Sequence, residues 1–130
     1  MSSRVLGPNQ KKWVEALESG KYQQGENFLH SGKGYCCLGV ACAVFVENAA
    51  LVLETVAKSG DAVTSYDGAD TLAPKYVIRV LDLYGSGGEP DKTFNESLED
   101  LTQLNDGGTT FKEIAQIIRD NPAAYFMSEQ

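Results

Sequence analysis

The stretch Gly32-Lys33-Gly34-Tyr35-Cys36-Cys37-Leu38-Gly39-Val40-Ala41-Cys42-Ala43-Val44-Phe45 decides how this chain is read. It is the longest apolar run in the sequence and holds all three cysteines, Cys36, Cys37 and Cys42. A continuous apolar run has no period that separates a buried strand from a buried helix, so length decides. About twelve residues, from Tyr35 to Glu47, is long for a strand and ordinary for a helix. The run therefore predicts a central helix, apolar nearly all round and buried on most sides. Gly39 inside it costs about 1 kcal/mol relative to alanine. A closely packed neighbour would account for that cost.

Upstream, Pro8 to Ser19 reads as a first helix. Proline suits the first helical position, Trp13, Ala16 and Leu17 share a face, and Gly20 supplies the stop. Between the two helices, Lys21 to Gly34 reads as irregular, with turn positions at Gly25, Asn27, Gly32 and Gly34. Phe28 and Leu29 are expected to pin this loop to the core. Downstream, LVLETVA and AVTSY flank Lys58-Ser59-Gly60-Asp61, which reads as a hairpin within 49–67. A helix from Pro74 to Tyr84 follows, with Val77, Ile78, Leu81 and Tyr84 on one face. The stretch 85–92 is glycine-rich and reads as a flexible loop, too short for a domain linker.

Thr93 with Glu96 forms a capping box, which predicts a helix striped by Leu98, Leu101 and Leu104 and ended at Asn105-Asp106-Gly107-Gly108. Thr110 with Glu113 forms a second box, opening a last helix with Phe111, Ile114, Ala115, Ile117 and Ile118 inward. The tail 123–130 either docks through Tyr125 and Phe126 or frays. The whole reads as a single domain over 1–130: an α+β fold, predominantly α-helical, with a buried central helix and a short β-hairpin.

With 130 residues the chain is long enough to bury a core without staples. Its net charge of −7 is uneven, with five basic and three acidic side chains in residues 1–35, against six and fifteen in the remainder. That surface disfavours sequence-blind nucleic-acid binding, which runs on phosphate neutralisation. The first residues lack an apolar signal core, and no run approaches a membrane span. Three cysteines, two adjacent, fit reduced thiols in a cytosol better than a disulfide framework.

Five features are candidates for function. The first is the turn from His30 to Tyr35 leading into the central helix. Free amide N–H groups at a helix N-terminus attract anions, and Lys33 adds a charge. Lys33, Gly34, Tyr35, Cys36, His30, Tyr22 and Gln24 would form such a ligand site. It is not a Walker A loop, because Gly34 stands where Ser or Thr is required. The alternative is a plain connecting loop.

The second is a nucleophilic thiol, Cys36 or Cys37, with His30 as the base and Asn105 or Asp106 orienting it. Its alternative is that cysteines pack as small core hydrophobes. The third, a metal site from His30, Cys36, Cys37 and Cys42, is weak, because adjacent helical cysteines point about 100° apart. The fourth is a helix-turn-helix over 94–120, against which stands the lack of a basic patch. The fifth is the acidic surface of Glu89, Asp91, Glu96, Glu99, Asp100 and Asp106, either a face for a basic host protein or simply solvated.

Four segments carry a resemblance: W-(x)2-A-L-(x)-S-G-K-Y at Trp13 to Tyr22, Y-C-C-L-G-V-(x)-C at Tyr35 to Cys42, L-A-P at Leu72 to Pro74, and L-N-D-G-G-(x)2-F-(x)2-I-A at Leu104 to Ala115. Together the chain resembles a widespread family of small proteins of tailed phages and prophages. Ala73 departs from the contiguous Leu-Pro of that pattern. The resemblance implies a phage accessory protein acting in the host cytoplasm, of a kind that blocks host enzymes or defence signalling.

The combined expectation is a non-enzymatic binding module. It captures an anionic small molecule or nucleotide, with no cofactor and no metal. An acidic inhibitor or adaptor of a host protein and a cysteine hydrolase are the alternatives. Self-association is left open.

Overall fold

The structure, a computed structural model, describes residues 6–49, 52–58, 60–93 and 95–127. Among these, six helices and a four-stranded antiparallel sheet form a small α+β domain. The elements are α1 (Pro8–Glu18), β1 (His30–Ser31), β2 (Gly34–Tyr35), α2 (Cys37–Ala49), β3 (Leu53–Lys58), β4 (Asp61–Tyr66), α3 (Lys75–Leu81), α4 (Leu101–Asp106), α5 (Phe111–Asp120) and α6 (Pro122–Tyr125).

The apolar run forms the buried helix that its length predicts. In α2, Leu38, Val40, Ala41, Cys42 and Phe45 are buried, and α1, α3 and α4 pack against the helix. Trp13 anchors α1 from inside the core and donates from Nε1 to the Cys37 carbonyl at 2.9 Å. Gly39 has the close neighbour its cost implied: a Cβ there would lie 1.7 Å from the Leu29 carbonyl oxygen.

The helix starts two residues later than expected. Tyr35 belongs to β2, because its backbone is engaged sideways. Its N–H donates to the Gln23 carbonyl at 2.8 Å and its carbonyl accepts from Gly25 at 2.7 Å. The segment expected to be irregular thus contains a second small hairpin, β1–β2. Strands of two residues carry no readable period.

The sheet runs β2-β1-β4-β3, with β1 joining the two hairpins. The β3–β4 hairpin forms as expected, Leu53 facing Tyr66 through to Lys58 facing Asp61. Ser59 of its turn lies outside the described residues.

Two helix expectations are corrected. The third helix stops at Leu81 rather than Tyr84, because Asp82 adopts the left-handed conformation at φ 58°. Leu83 is therefore buried and Tyr84 is exposed. The helix expected from Thr93 begins only at Leu101. Thr93 turns backwards, its N–H and Oγ1 donating to Asp91 Oδ1 at 3.0 and 2.7 Å. Residues 95–100 are turns and irregular chain, and Phe94 lies outside the described residues. The first amides of α4 are met from the glycine-rich stretch instead. Leu101 N–H donates to the Gly88 carbonyl and Thr102 N–H to that of Gly87.

The second capping box forms. Glu113 N–H donates to Thr110 Oγ1 at 3.2 Å, and Thr110 N–H donates to Glu113 Oε1 at 3.0 Å. Past α5 the chain docks: Tyr125 and Phe126 are buried, and Phe126 meets Trp13 edge-on at 6.2 Å. Residues 128–130, part of the tail expected to dock or fray, lie outside the described residues.

Candidate functional site

The entrance to α2 is closed rather than open. Cys36 N–H donates to the Leu29 carbonyl at 3.1 Å. Cys37 N–H donates to Asn105 Oδ1 at 3.1 Å. Gly39 N–H points at Cys36 Sγ at 3.4 Å. Asn105, from α4, is fully buried and used on every side. Its Oδ1 also accepts from Gln24 Nε2 at 2.9 Å, and its Nδ2 donates to the Gly25 carbonyl at 2.9 Å. Gln24 continues outward, donating to the Thr109 carbonyl at 2.7 Å and accepting from Phe111 N–H at 3.1 Å. Gln24 and Asn105 thus fasten three segments to the start of α2. The amide N–H groups of Cys36 and Cys37 already have protein partners.

The three thiols are free and buried. Burial is the main cause that pushes the Cys36 thiol up to about 11. It raises Cys37 well above the ordinary range and raises Cys42 as well. Cys37 Sγ lies 3.5 Å from the Leu101 carbonyl, to which it can donate. A thiolate is the attacking species in nucleophilic chemistry, and these surroundings hold all three cysteines protonated at neutral pH. His30 stacks flat on Tyr35, ring centroids 3.9 Å apart. Desolvation lowers its pKa, so it is held as neutral imidazole. Among the described residues, no hydrogen bond joins His30 to a thiol or to Asn105, and no cluster of His, Cys, Asp and Glu suits a metal ion.

Two concavities flank the β1–β2 hairpin, and they divide the residues expected to act together. A polar cleft of about 560 Å³ is lined by Gln24, Glu26, Asn27, Ser31, Lys33 and Asp61, with Phe28 as its aromatic wall. Backbone-to-carboxylate bonds hold parts of its lining. Asp61 Oδ1 accepts from Gly32 and Ala62 N–H at 3.1 and 2.8 Å. Asp106 Oδ1 accepts from Asn27 N–H at 3.0 Å, where Asn27 has φ 73°. The second concavity is a groove of about 340 Å³ between α2 and the sheet, lined by His30, Tyr35, Ala43, Val46, Thr64 and Tyr66 among others. Tyr22 meets Tyr35 edge-on, ring centroids 5.3 Å apart, but does not line the groove.

Lys33 and Gln24 therefore belong to the cleft and His30 and Tyr35 to the groove, while Tyr22 only touches Tyr35. Gly34 lies in β2 between them, and Cys36 lies behind both in the core. Sequence reasoning missed Asp61, which joins the cleft only through the pairing of β1 with β4. No local signal in the hairpin turn announces that role. A third depression of about 760 Å³ lies apart from these and carries Lys75 and Arg79, beside Asp67 and Tyr76. No helix among the described residues is long and apolar enough to cross a membrane.

Residues 7–122 match the family described as a domain of unknown function, DUF8296, and the chain belongs to that family. Comparisons with curated proteins and with solved structures gave no match.

Proposed function

We propose that this member of the DUF8296 family is a non-enzymatic binding module, a phage-type accessory protein of the host cytoplasm. Its polar cleft would hold a small phosphate-bearing ligand of mononucleotide size. The observation that carries this reading is the composition of the cleft. One ammonium, Lys33, faces two carboxylates, Glu26 and Asp61, in a cavity of about 560 Å³, within the usual range for small-molecule sites.

A bare anion would be repelled by the carboxylates. A nucleotide offers both halves of the match: a phosphate for Lys33, and ribose hydroxyls that donate to Glu26 and Asp61. Phe28 supplies a face for the base. Two backbone N–H groups, of Gly32 and Ala62, donate to Asp61 Oδ1 and fix the position of that side chain. The buried, protonated thiols and the stacked His30 favour binding over covalent catalysis.

Native mass spectrometry of protein expressed in bacterial cells tests this, followed by calorimetric titration with a panel of mononucleotides. The expected result is an added mass of a few hundred daltons that disappears on denaturation, with affinity at least tenfold weaker in Lys33→Ala. A bare protein mass together with no nucleotide binding overturns the reading. Unchanged affinity in Lys33→Ala removes the assigned contact. Loss in Lys75→Ala or Arg79→Ala instead moves the site to the third depression.

One observation favours a second reading, an acidic adaptor. The irregular segment after Asp91 exposes Glu96 and Glu99 around a single cation, Lys92. Reversing both glutamates to lysine then abolishes capture of a basic host protein. An intact capture counts against it.

A further inference from the structure

The sheet has two edges, and only one is covered. Beyond β2, residues 23–25 run alongside Tyr35 and take up its N–H and carbonyl. Beyond β3 nothing among the described residues pairs. All six residues of β3 are exposed, including Leu53 at 51% and Val56 at 40%. An open edge of this kind is a template for another strand, and natural edges are usually guarded by proline, bulges or inward charge. Leu53-Glu54-Thr55-Val56-Ala57-Lys58 has no proline, and its pairing with β4 runs without a bulge.

The hydrogen-bond phase of β3 fixes which groups are free. Asp67 N–H donates to the Val52 carbonyl at 2.8 Å, and Ser65 Oγ reaches the Glu54 carbonyl at 3.4 Å. In an antiparallel ladder these directions alternate. The backbone groups of Glu54, Val56 and Lys58 therefore face β4, and those of Leu53, Thr55 and Ala57 face outward.

We propose that β3 pairs with β3 of a second copy of this chain, antiparallel about a two-fold axis at Val56. The eight strands would then form one continuous sheet. The register follows from charge. Centring on Val56 sets Glu54 opposite Lys58 of the other copy, twice, and Val56 opposite Val56. Centring on Thr55 or Ala57 leaves both charges opposite uncharged residues. Centring on Glu54 or Lys58 sets like charges together. The Val56 register also places the outward-facing Thr55 and Ala57 opposite each other, as a hydrogen-bonded pair requires. Glu54 and Lys58 then fall at the closer, non-hydrogen-bonded positions, where opposite charges interact best. Lys58 already meets Asp70 of its own chain, and its ammonium has three donors, enough for both partners. One six-residue strand pair is a small interface, so the dimer is reversible and concentration-dependent.

Sedimentation velocity on the full chain, from low micromolar to about half-millimolar, reads this directly. Wild type is expected to pass from monomer to dimer. Glu54→Lys and Lys58→Glu are each expected to be monomeric at concentrations where wild type is dimeric. An equimolar mixture of the two is expected to recover the dimer, since lysines then face glutamates at all four positions. Thr55→Pro removes only an outward N–H and is expected to abolish the dimer while circular dichroism shows the native fold. A wild type that stays monomeric throughout overturns the proposal. Dimers that survive Thr55→Pro, or that ignore both single charge changes, overturn the edge and the register respectively. Glu54, Lys58 and Thr55 lie outside the polar cleft, so nucleotide titration of the same variants separates this outcome from the ligand reading.

Discussion

The entrance to α2 and the β3 strand lie at opposite extremes of closure within one small domain. At the α2 entrance, Cys37 and Asn105 are fully buried, and each amide named there has a protein acceptor. At β3, six consecutive residues face solvent and half of the backbone groups have no strand to meet. The apolar run predicts the burial of α2, but no feature of the sequence marks the openness of β3. Cysteines behind a Gly-Lys-Gly turn read either as a nucleophile or as core packing, and LETVAK reads as an ordinary hairpin arm. Reactive residue types buried without water become structural, while an unremarkable strand on an edge becomes a surface for association.

Substitutions should expose that contrast, and the largest effect is expected at Gly39. Alanine there sets a methyl group 1.7 Å from the Leu29 carbonyl oxygen, a backbone atom that cannot rotate away. Gly39→Ala should cost more than about 3 kcal/mol in urea unfolding, or prevent folding, since overpacking against a rigid neighbour exceeds the usual core penalty. A mild loss would mean that the α2–loop contact is looser than described.

Next comes Asn105→Ala. It strands the Cys37 N–H and the Gly25 carbonyl in the interior and removes one of the partners of Gln24. The expected cost is about 2–3 kcal/mol by urea titration, because buried groups without partners carry their full desolvation penalty.

The thiols sharpen the comparison through pH. Their folded pKa values lie above the unfolded one of about 8.5. The stability they contribute is therefore complete below about pH 8.5 and declines as pH rises towards about 11, the folded value of Cys36. The urea midpoint should fall across that window, and alkylation at pH 7 should require prior unfolding. Labelling of one thiol in the native protein at neutral pH would revive a nucleophilic role.

Smaller still is the ion pair that joins α1 to α5, Glu18 with Arg119, where Arg119 Nε and Nη2 donate to the two carboxylate oxygens at 2.7 and 2.8 Å. Both side chains are about one-third exposed, so Arg119→Ala should cost only about 0.5 kcal/mol, and less in high salt. Arg119 lowers the pKa of Glu18. The contribution of that group is thus present above an unfolded value of about 4.3 and is lost as pH falls through its lowered folded value. At the bottom of the scale, Val56→Thr on the open strand should change monomer stability by less than about 0.5 kcal/mol, although it should weaken any association through β3.

Much of the framework was legible because it is written locally. The Thr110–Glu113 box, the Pro8 start and the apolar run of α2 each act within a few residues. Two of the failures arise where groups outside the expected helix claim its first residues. Thr93 and Glu96 have the spacing of a capping box, yet Asp91 takes the threonine hydroxyl and the Gly87 and Gly88 carbonyls cap α4 eight residues later. Tyr35 is helix-compatible by its neighbours, yet Gln23 and Gly25 hold it in a strand. The candidate site was half legible. Lys33 and Gln24 do line a cleft, but Asp61 reaches it across the β1–β4 pairing, and the spacing of 29 residues between Gly32 and Asp61 leaves no trace in the sequence.

The cap on α2 also sets a schedule for biosynthesis. Asn105 lies 68 residues beyond the Cys37 amide that it satisfies. At 5–20 residues per second, roughly 3 to 14 s of translation separate the making of these partners. During that interval the most apolar helix of the chain exists without its lid, beside a strand edge ready to accept a neighbour. Until residue 105 emerges, Leu38 to Phe45 are without the Asn105 partner that closes the start of their helix, so synthesis is a stage at which this apolar run is open to wrong contacts.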